Sequence, residues 1–144
     1  MHAGTGDAHI SVSQKLPLSG AVIVSTPQEV ALVDARRGVD LYRQVGVPIL
    51  GMVENMSWYD DAAGGRVPLF GAGGVARAAR DAGVELLAEV PLLMGIRAGA
   101  DAGTPAALRA GSPEAAPYER AARRLAEKLR LLPEAAQQGT PDPR

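Results

Sequence analysis

The sequence contains no cysteine, few aromatic residues and no strong excess of charge of either sign. Without cysteine the chain can form no disulfide framework, hold no thiolate-ligated metal and use no cysteine nucleophile. The formal net charge of -1 indicates no basic surface for nucleic acid, so we expect no nucleic-acid partner. No apolar run approaches the ~20 residues of a membrane-spanning helix, and we expect no membrane span. These absences favour a soluble intracellular protein that is one domain long.

The stretch from Gly20 to Gln28 carries the clearest structural signal. The run 21–24 (Ala-Val-Ile-Val) is continuously apolar and mostly β-branched, which is typical of a strand buried on both faces. Polarity changes at once, because Ser25 and Thr26 offer N-cap hydroxyls and Pro27 suits a first helical turn. A buried strand that leads into a capped helix predicts a parallel sheet. In such sheets ligands bind beyond the carboxyl ends of the strands, where this loop lies.

The rest of the chain continues the alternation of strands and helices. We expect strands at 47–53 and 85–90, helices at 29–45, 73–82 and 112–132, an irregular segment at 92–111 and a disordered tail at 133–144. The predicted inner faces of the first and last of these helices are Leu32, Ala35, Val39 and Tyr42, and Ala122, Leu125 and Leu129. Residues 8–16 alternate like a strand but follow a capping residue, Asp7, and we favour a helix there. The fold class is therefore α/β, with 21–24, 49–53 and 86–90 as parallel neighbours.

Five phrases occur in the order in which one known family has them. They are Gly4–Asp7, Gly20–Gln28, Pro48–Ser57, Glu89–Leu92 with Ile96-Arg97, and Asp101–Gly103. Together they resemble the Mrp/ApbC family of ATP-binding iron–sulfur cluster carriers, a branch of the MinD-like P-loop NTPases that includes a mitochondrial assembly factor for respiratory complex I. The resemblance implies that residues 1–132 are the C-terminal half of a P-loop NTPase domain, a partial doubly wound parallel sheet, followed by the tail 133–144.

The resemblance also implies an ATP site with magnesium. The residues that match the family's loop near the γ-phosphate and magnesium are Gly4, Thr5, Gly6 and Asp7. Glycine there lets backbone N–H groups approach phosphate, whereas the alternative is a flexible N-terminal turn that binds nothing. The family's prolines before this loop are replaced by His2 and Ala3, which is a departure from the pattern.

Base recognition is implied at a second position. Asn55 follows the second predicted strand, and its amide can both donate to and accept from the edge of adenine. In the family the matching Asn reads the base, and the loop after the next strand lines the same pocket; here that loop is Pro91, Leu92 and Leu93. The alternative is that Asn55 caps its own loop through the backbone.

Two departures change the functional expectation. Family members with a 4Fe-4S cluster carry Cys-x-x-Cys shortly after the Asn-Met-Ser phrase, whereas residues 58–65 here contain Asp60 and Asp61 and no thiolate ligand. The two acids could hold a hard cation, but adjacent acids in a Gly-rich loop are usually solvated, and we expect no metal site. The family's Gly-rich phosphate loop with its lysines is also missing from these residues. We therefore expect no catalytic residue and no ATP hydrolysis by this chain alone.

Two functions remain open. The first is an ATP-binding iron–sulfur cluster carrier or assembly factor. It would pair with itself or with a full-length homologue, and it would serve iron–sulfur apo-proteins in the cytoplasm or the mitochondrial matrix. The second is a non-catalytic interaction module, a degenerate half-domain that binds a homologous carrier through exposed sheet edges. An in-frame Lys-Gly-Gly-Val-Gly-Lys-type segment upstream of Met1 would favour the first.

Overall fold

The computed structural model describes Leu16 and residues 18–132. The elements in chain order are β1 (Ala21–Ser25), α1 (Glu29–Gln44), β2 (Ile49–Asn55), β3 (Tyr59–Asp60), β4 (Arg66–Val67), α2 (Gly74–Asp81), β5 (Leu86–Val90), α3 (Met94–Asp101), a 3-10 turn (Ala106–Leu108) and α4 (Ala116–Leu131). The phosphate-loop candidates Gly4–Asp7, the predicted helix at 8–16 except Leu16, and the tail 133–144 lie outside the described residues. Within the described ranges no helix combines the length and the apolar character that crossing a membrane requires.

The three predicted strands form one parallel sheet, as the sequence indicated. Their order is β1-β2-β5, with β2 in the centre. Val24 lies opposite Val53 in the first pairing, and Glu54 lies opposite Glu89 in the second. Because all three strands run in the same direction, their carboxyl ends meet at one edge of the sheet. The prediction of an α/β fold with a parallel sheet is confirmed.

Helices α1 and α2 cover one face of this sheet and enclose the apolar core. On α1, Leu32, Ala35 and Val39 are buried and Tyr42 is partly buried against them, so the predicted inner stripe is confirmed. The core residues that meet them are Ile23 and Met52 from the sheet and Val75, Ala78 and Ala79 from α2. The periodicity of α1 was therefore sufficient to identify the face that it buries.

The two ends of α1 follow different rules. Gly46 ends the helix in a left-handed conformation with φ of 72°, and Val47 N–H returns to Tyr42 O at 2.9 Å, as expected for a glycine after a helix. The predicted capping at the other end is wrong. The Ser25 hydroxyl donates to Thr26 O, the Thr26 hydroxyl donates to the Gln28 side chain, and no side chain caps the first turn. These hydroxyls find nearer acceptors within their own loop.

Residues 92–111 are not irregular, which corrects the sequence-based expectation. They form α3 and the 3-10 turn. One glycine of this segment is required for packing, because a Cβ on Gly99 would lie 2.6 Å from Thr104 O, where the chain folds back on α3. Arg97 and Asp101, which belong to two of the matching phrases, pair with each other on the exposed surface of α3, at i,i+4 spacing and 3.5 Å.

Helix α4 begins four residues later than predicted. The Ser112 hydroxyl accepts a hydrogen bond from Ala115 N–H at 3.2 Å, so Ser112 caps the turn that precedes the helix. Of the predicted inner face, Leu125 and Leu129 are partly buried, as expected, whereas Ala122 is exposed and its neighbour Ala121 is partly buried instead. This face packs mainly on β5 and only partly on β2.

A buried carboxylate joins the end of β2 to α2. Glu54 is 1% exposed, and its Oε2 accepts a hydrogen bond from Val75 N–H at 3.0 Å in the first turn of α2. A carboxylate is favourable there, because the first N–H groups of a helix have no partner within the helix and carry partial positive charge. Gly74, beside Val75, has no room for a side chain, since a Cβ would lie 2.5 Å from Pro27 O. These contacts hold α2 against the loop that follows β1 and against the end of β2.

Strand β1 is exposed along one edge in the described part of the chain. It pairs with β2 alone there, and α4 packs two strands away. Val24 is 59% exposed, although Ile23 and Ser25 on the other side of the strand are buried. The prediction that this strand is buried on both faces is therefore wrong for the described residues, because no described element covers the face that carries Val24.

The exposed edge of β1 predicts self-association. We expect the 144-residue chain to show a rising mass when its concentration is raised roughly a hundredfold, measured by size-exclusion chromatography with light scattering. Val24→Lys should reduce this association, because a lysine on an edge strand opposes strand pairing. Leu108→Lys is the control, since Leu108 is 75% exposed on the 3-10 turn. A monodisperse monomer over the whole range, or equal effects of the two variants, would contradict the prediction.

The Glu54 carboxylate predicts a stability difference between two glutamates on neighbouring strands. Glu54→Ala should lower the free energy of unfolding by about 2–4 kcal/mol, because it removes a charge-assisted hydrogen bond and leaves a cavity. Glu89→Ala is the matched control, since Glu89 lies opposite Glu54 but is exposed, and it should cost less than about 0.5 kcal/mol. Glu54→Gln keeps an acceptor oxygen and should lose less than Glu54→Ala. Urea unfolding followed by circular dichroism measures all three, and equal losses for the two alanine variants would refute the assignment.

Candidate functional site

The predicted base-binding residues meet at the carboxyl edge of the sheet. Asn55 ends β2 and lies opposite Val90, which ends β5. Beyond the strands the pairing continues, since Ser57 N–H donates to Val90 O at 3.0 Å and Leu92 N–H donates to Trp58 O at 2.7 Å. The structure thus brings Asn55 and the loop of Pro91, Leu92 and Leu93 to the same edge, on adjacent strands.

The side chain of Asn55 makes a local contact. Its Oδ1 accepts a hydrogen bond from Met56 N–H at 3.0 Å. Met56 has a φ of 56°, a left-handed conformation that is uncommon for residues other than glycine. The loop-capping role that the sequence left open is therefore observed, and the amide nitrogen is the group that would remain for a base. Base recognition by Asn55 stays a prediction.

Residues 58–65, where the resemblance implies the cluster ligands of the family, lie in a hairpin formed by β3 and β4. Asp60 lies opposite Arg66 in an antiparallel pairing. Asp61 Oδ1 accepts hydrogen bonds from Ala63 N–H at 2.9 Å and from Gly65 N–H at 2.7 Å. Asp61 therefore stabilises the turn of the hairpin, a role that its residue type often has. Across residues 18–132 no three His, Asp or Glu side chains gather as a metal site would require.

A cleft of about 500 Å³ lies between this hairpin, β5 and the first half of α4. Its lining includes Pro91 and Leu93 from the predicted base loop, but Asn55 and Leu92 are not part of it. The guanidinium of Arg66 lies 4.2 Å from the centroid of the Trp58 ring, a cation–π contact on the hairpin side. Trp58 Nε1 is buried, and among the described residues it has no hydrogen-bond partner.

Sequence reasoning missed both this cleft and the role of Glu54. Glu54 was part of a matching phrase, but a charged residue inside an apolar strand was the signal that could have marked it as buried and paired. Trp58 is the only tryptophan of the chain, and its position next to a Gly-rich polar segment was a second signal. The cleft itself could not be read from the sequence, because its walls come from three separate segments.

A protein-family model matches most of this sequence. The model for "ParA: NUBPL iron-transfer P-loop NTPase" matches residues 1–129. The match includes Asn55, the 91–93 loop and the hairpin between them.

Similar curated proteins are iron–sulfur proteins by name. The mouse "Iron-sulfur cluster transfer protein NUBPL" is 43% identical over 136 residues, which are 93% of this chain and 43% of that protein. The Arabidopsis thaliana "Iron-sulfur protein required for NADH dehydrogenase, mitochondrial" is 47% identical over 136 residues, 93% of this chain and 44% of that protein. The Pseudomonas fragi "Iron-sulfur cluster carrier protein" is 49% identical over 109 residues, 75% of this chain and 38% of that protein. The chain thus spans less than half the length of these relatives.

Solved structures agree with the fold. A nucleotide-binding protein from Archaeoglobus fulgidus, in complex with ADP, superposes with a TM-score of 0.64 at 33% identity, covering 76% of this chain and 44% of that one. The cell division ATPase MinD from Pyrococcus furiosus superposes with a TM-score of 0.56 at 23% identity, covering 76% and 43%. The second likeness concerns the fold alone.

Proposed function

This chain belongs to the family of NUBPL-type iron-transfer P-loop NTPases, and we propose that it forms the C-terminal part of an ATP-binding iron–sulfur cluster carrier or assembly factor. The names of the similar proteins support this function over that of a non-catalytic interaction module. Within that carrier, this part contributes to nucleotide binding and is not itself the catalytic part.

The observation that carries the proposal is the meeting of Asn55 and the 91–93 loop at one edge of a parallel sheet. Asn55 lies opposite Val90, and Pro91 follows directly. A nucleotide in such a fold binds beyond the carboxyl ends of the strands. We assign base recognition to the Asn55 amide and to Pro91, Leu92 and Leu93. Phosphate and magnesium contacts fall to Gly4, Thr5, Gly6 and Asp7, together with a phosphate loop on another polypeptide segment.

The cluster is the cargo of the proposed carrier, and this chain offers it no thiolate. The sequence has no cysteine, and the hairpin carboxylate of Asp61 is engaged with two backbone N–H groups. A 4Fe-4S cluster is held by cysteine thiolates. We therefore infer that the 4Fe-4S ligands come from another protein, namely from a full-length homologue or from the apo-protein that receives the cluster.

The setting of the proposed function follows the relatives. Their names include a mitochondrial protein from Arabidopsis thaliana and bacterial carriers from Pseudomonas fragi and Escherichia coli. We propose the cytoplasm or the mitochondrial matrix as the compartment. Iron–sulfur apo-proteins are the proposed clients, and a homodimer or a pair with a full-length homologue is the proposed assembly.

The proposal predicts base recognition without phosphate recognition in this chain alone. ATP with magnesium and adenosine should bind about equally, with dissociation constants on the order of millimolar or weaker, because phosphate contacts supply much of the affinity of such sites. Asn55→Ala should weaken the binding of both ligands by the same factor, since the base is the part of the nucleotide that we assign to Asn55. Isothermal calorimetry or titration with a fluorescent nucleotide measures these affinities.

Gln44→Ala is the matched control for the Asn55 variant. It also removes one amide side chain, but Gln44 ends α1 and is exposed, away from the edge where Asn55 lies. It should leave both affinities unchanged. Micromolar ATP binding with a clear preference over adenosine would contradict the proposal that this chain alone recognises the base and not the phosphates. Equal nucleotide affinities of the Asn55→Ala and Gln44→Ala variants would contradict the role of Asn55.

A further inference from the structure

The cleft beside α4 runs along the outer edge of β5. Four consecutive residues of the strand, 86–89, line it. Side chains of a strand alternate between its two faces, so a cleft that touches every residue in a row lies along an edge. Among the described strands β5 pairs only with β2, and its other edge faces this cleft.

The backbone N–H and C=O of Glu89 point away from β2, towards the cleft. Val90 O accepts a hydrogen bond from Ser57 N–H, so the polar groups of Val90 face β2. The backbone groups of successive residues point to opposite edges of a strand, so the N–H and C=O of Glu89 face the cleft. Within the described residues no hydrogen bond outside the strand pairing of β2 with β5 reaches either group.

The rest of the edge is already occupied. Arg124 Nη1 donates to Leu86 O at 2.9 Å and to Leu87 O at 3.1 Å, where the pairing of β2 with β5 shifts register. Pro91, after the strand, has no N–H to offer. Glu89 is therefore the residue of β5, in the described part of the chain, that can exchange both backbone hydrogen bonds with a further strand.

The walls of the cleft combine apolar surface with positive charge. The apolar lining comes mainly from Trp58, Leu93, Pro113, Ala116 and Pro117. The charged lining is Arg66, Arg120 and Arg124 against Asp60 and Glu89, an excess of one positive charge. Arg124 and Lys128 share the Glu85 carboxylate, at 3.5 Å and 3.1 Å, so this wall keeps its one excess positive charge after that pairing. Arg120 has no ion pair with another described residue and is the group placed to meet an anion.

We propose that this cleft, which we call the β5 cleft, binds an extended acidic peptide segment of a partner protein by strand addition. One residue of the peptide exchanges both backbone hydrogen bonds with Glu89, as in a hydrogen-bonded antiparallel pair. Its apolar side chains contact Trp58 and the start of α4, and a carboxylate meets Arg120. The β5 cleft shares Pro91 and Leu93 with the proposed base loop, but Asn55 and Leu92 are not part of its lining.

The test uses the 144-residue chain and a defined probe. The probe is a fluorescein-labelled, capped heptapeptide, Thr-Val-Glu-Val-Asp-Val-Thr. The first control peptide is N-methylated at its three central residues, which removes the donors that strand addition needs. The second replaces both acids by lysine. Binding is measured by anisotropy and by the emission of Trp58, the only tryptophan of the chain. Amide hydrogen exchange reports protection at Glu89.

We expect saturable binding of the acidic probe below about 1 mM, and at least about tenfold weaker binding of both control peptides. Arg120→Glu should weaken binding by about threefold to tenfold. Arg123→Glu is its matched control, because Arg123 is an exposed neighbour on α4 that does not line the cleft, and it should change binding by less than about twofold. Both variants should have the same melting temperature as the original chain, which shows that they are folded.

Four results would overturn the proposal. They are no saturable binding of the acidic probe, equal binding of the N-methylated peptide, equal effects of Arg120→Glu and Arg123→Glu, and displacement of the probe by adenosine. The last would assign the cleft to the nucleotide base, and the others would remove the strand-addition site. The first three do not bear on the Asn55 experiment, so failure of the peptide site by any of them leaves the proposed function to its own test.

Discussion

The parallel pairing of β2 with a strand on each side is the constraint on which the rest of the molecule depends. It places the end of β2 in the centre of the carboxyl edge, flanked by the loops that follow β1 and β5. The buried carboxylate of Glu54 then ties this edge to the first turn of α2 through Val75 N–H. Because Asn55 is the next residue, its position is held by the core on one side and by the Val90 pairing on the other.

The two outer edges of the sheet differ in how they are protected. β1 is an outer strand of the described sheet, and its side chain Val24 is exposed on a face that no described element covers. On β5, Arg124 fills the hydrogen-bonding positions at the amino end, and the start of α4 lies alongside. An apolar open edge favours indiscriminate pairing, whereas a partly covered edge with one available residue favours a selective contact. The two edges are therefore suited to different kinds of partner.

The hairpin of β3 and β4 is closed by contacts among its own residues. At the position where cluster-holding relatives were expected to carry cysteines, Asp61 hydrogen-bonds the turn and Arg66 stacks on Trp58. These contacts are local and close the loop. The same segment forms one wall of the cleft beside β5.

Local pattern in the sequence was enough to determine the three strands, the inner face of α1 and the glycine that ends it. These features depend on periodicity and on backbone conformation within a few residues, as the positions of Leu32, Val39 and Gly46 show. The matching phrases were likewise enough to indicate the family and the residues of the candidate base site. The same local reasoning misread the glycines of α3 as breaks, because it could not see Thr104 O behind Gly99.

Only the tertiary structure decided the burial of Glu54, the exposure of Val24 and the existence of the cleft. Each depends on segments that are distant in the sequence: Glu54 meets Val75, and Arg124 reaches back to Leu86 and Leu87. The sequence of a strand rich in Val and Ile is the same whether or not another element covers that strand. Its composition indicates a tendency to be buried, but it does not show which element would bury it. Which edges of the sheet lie open therefore follows from how the strands and helices assemble, and no local pattern specifies it.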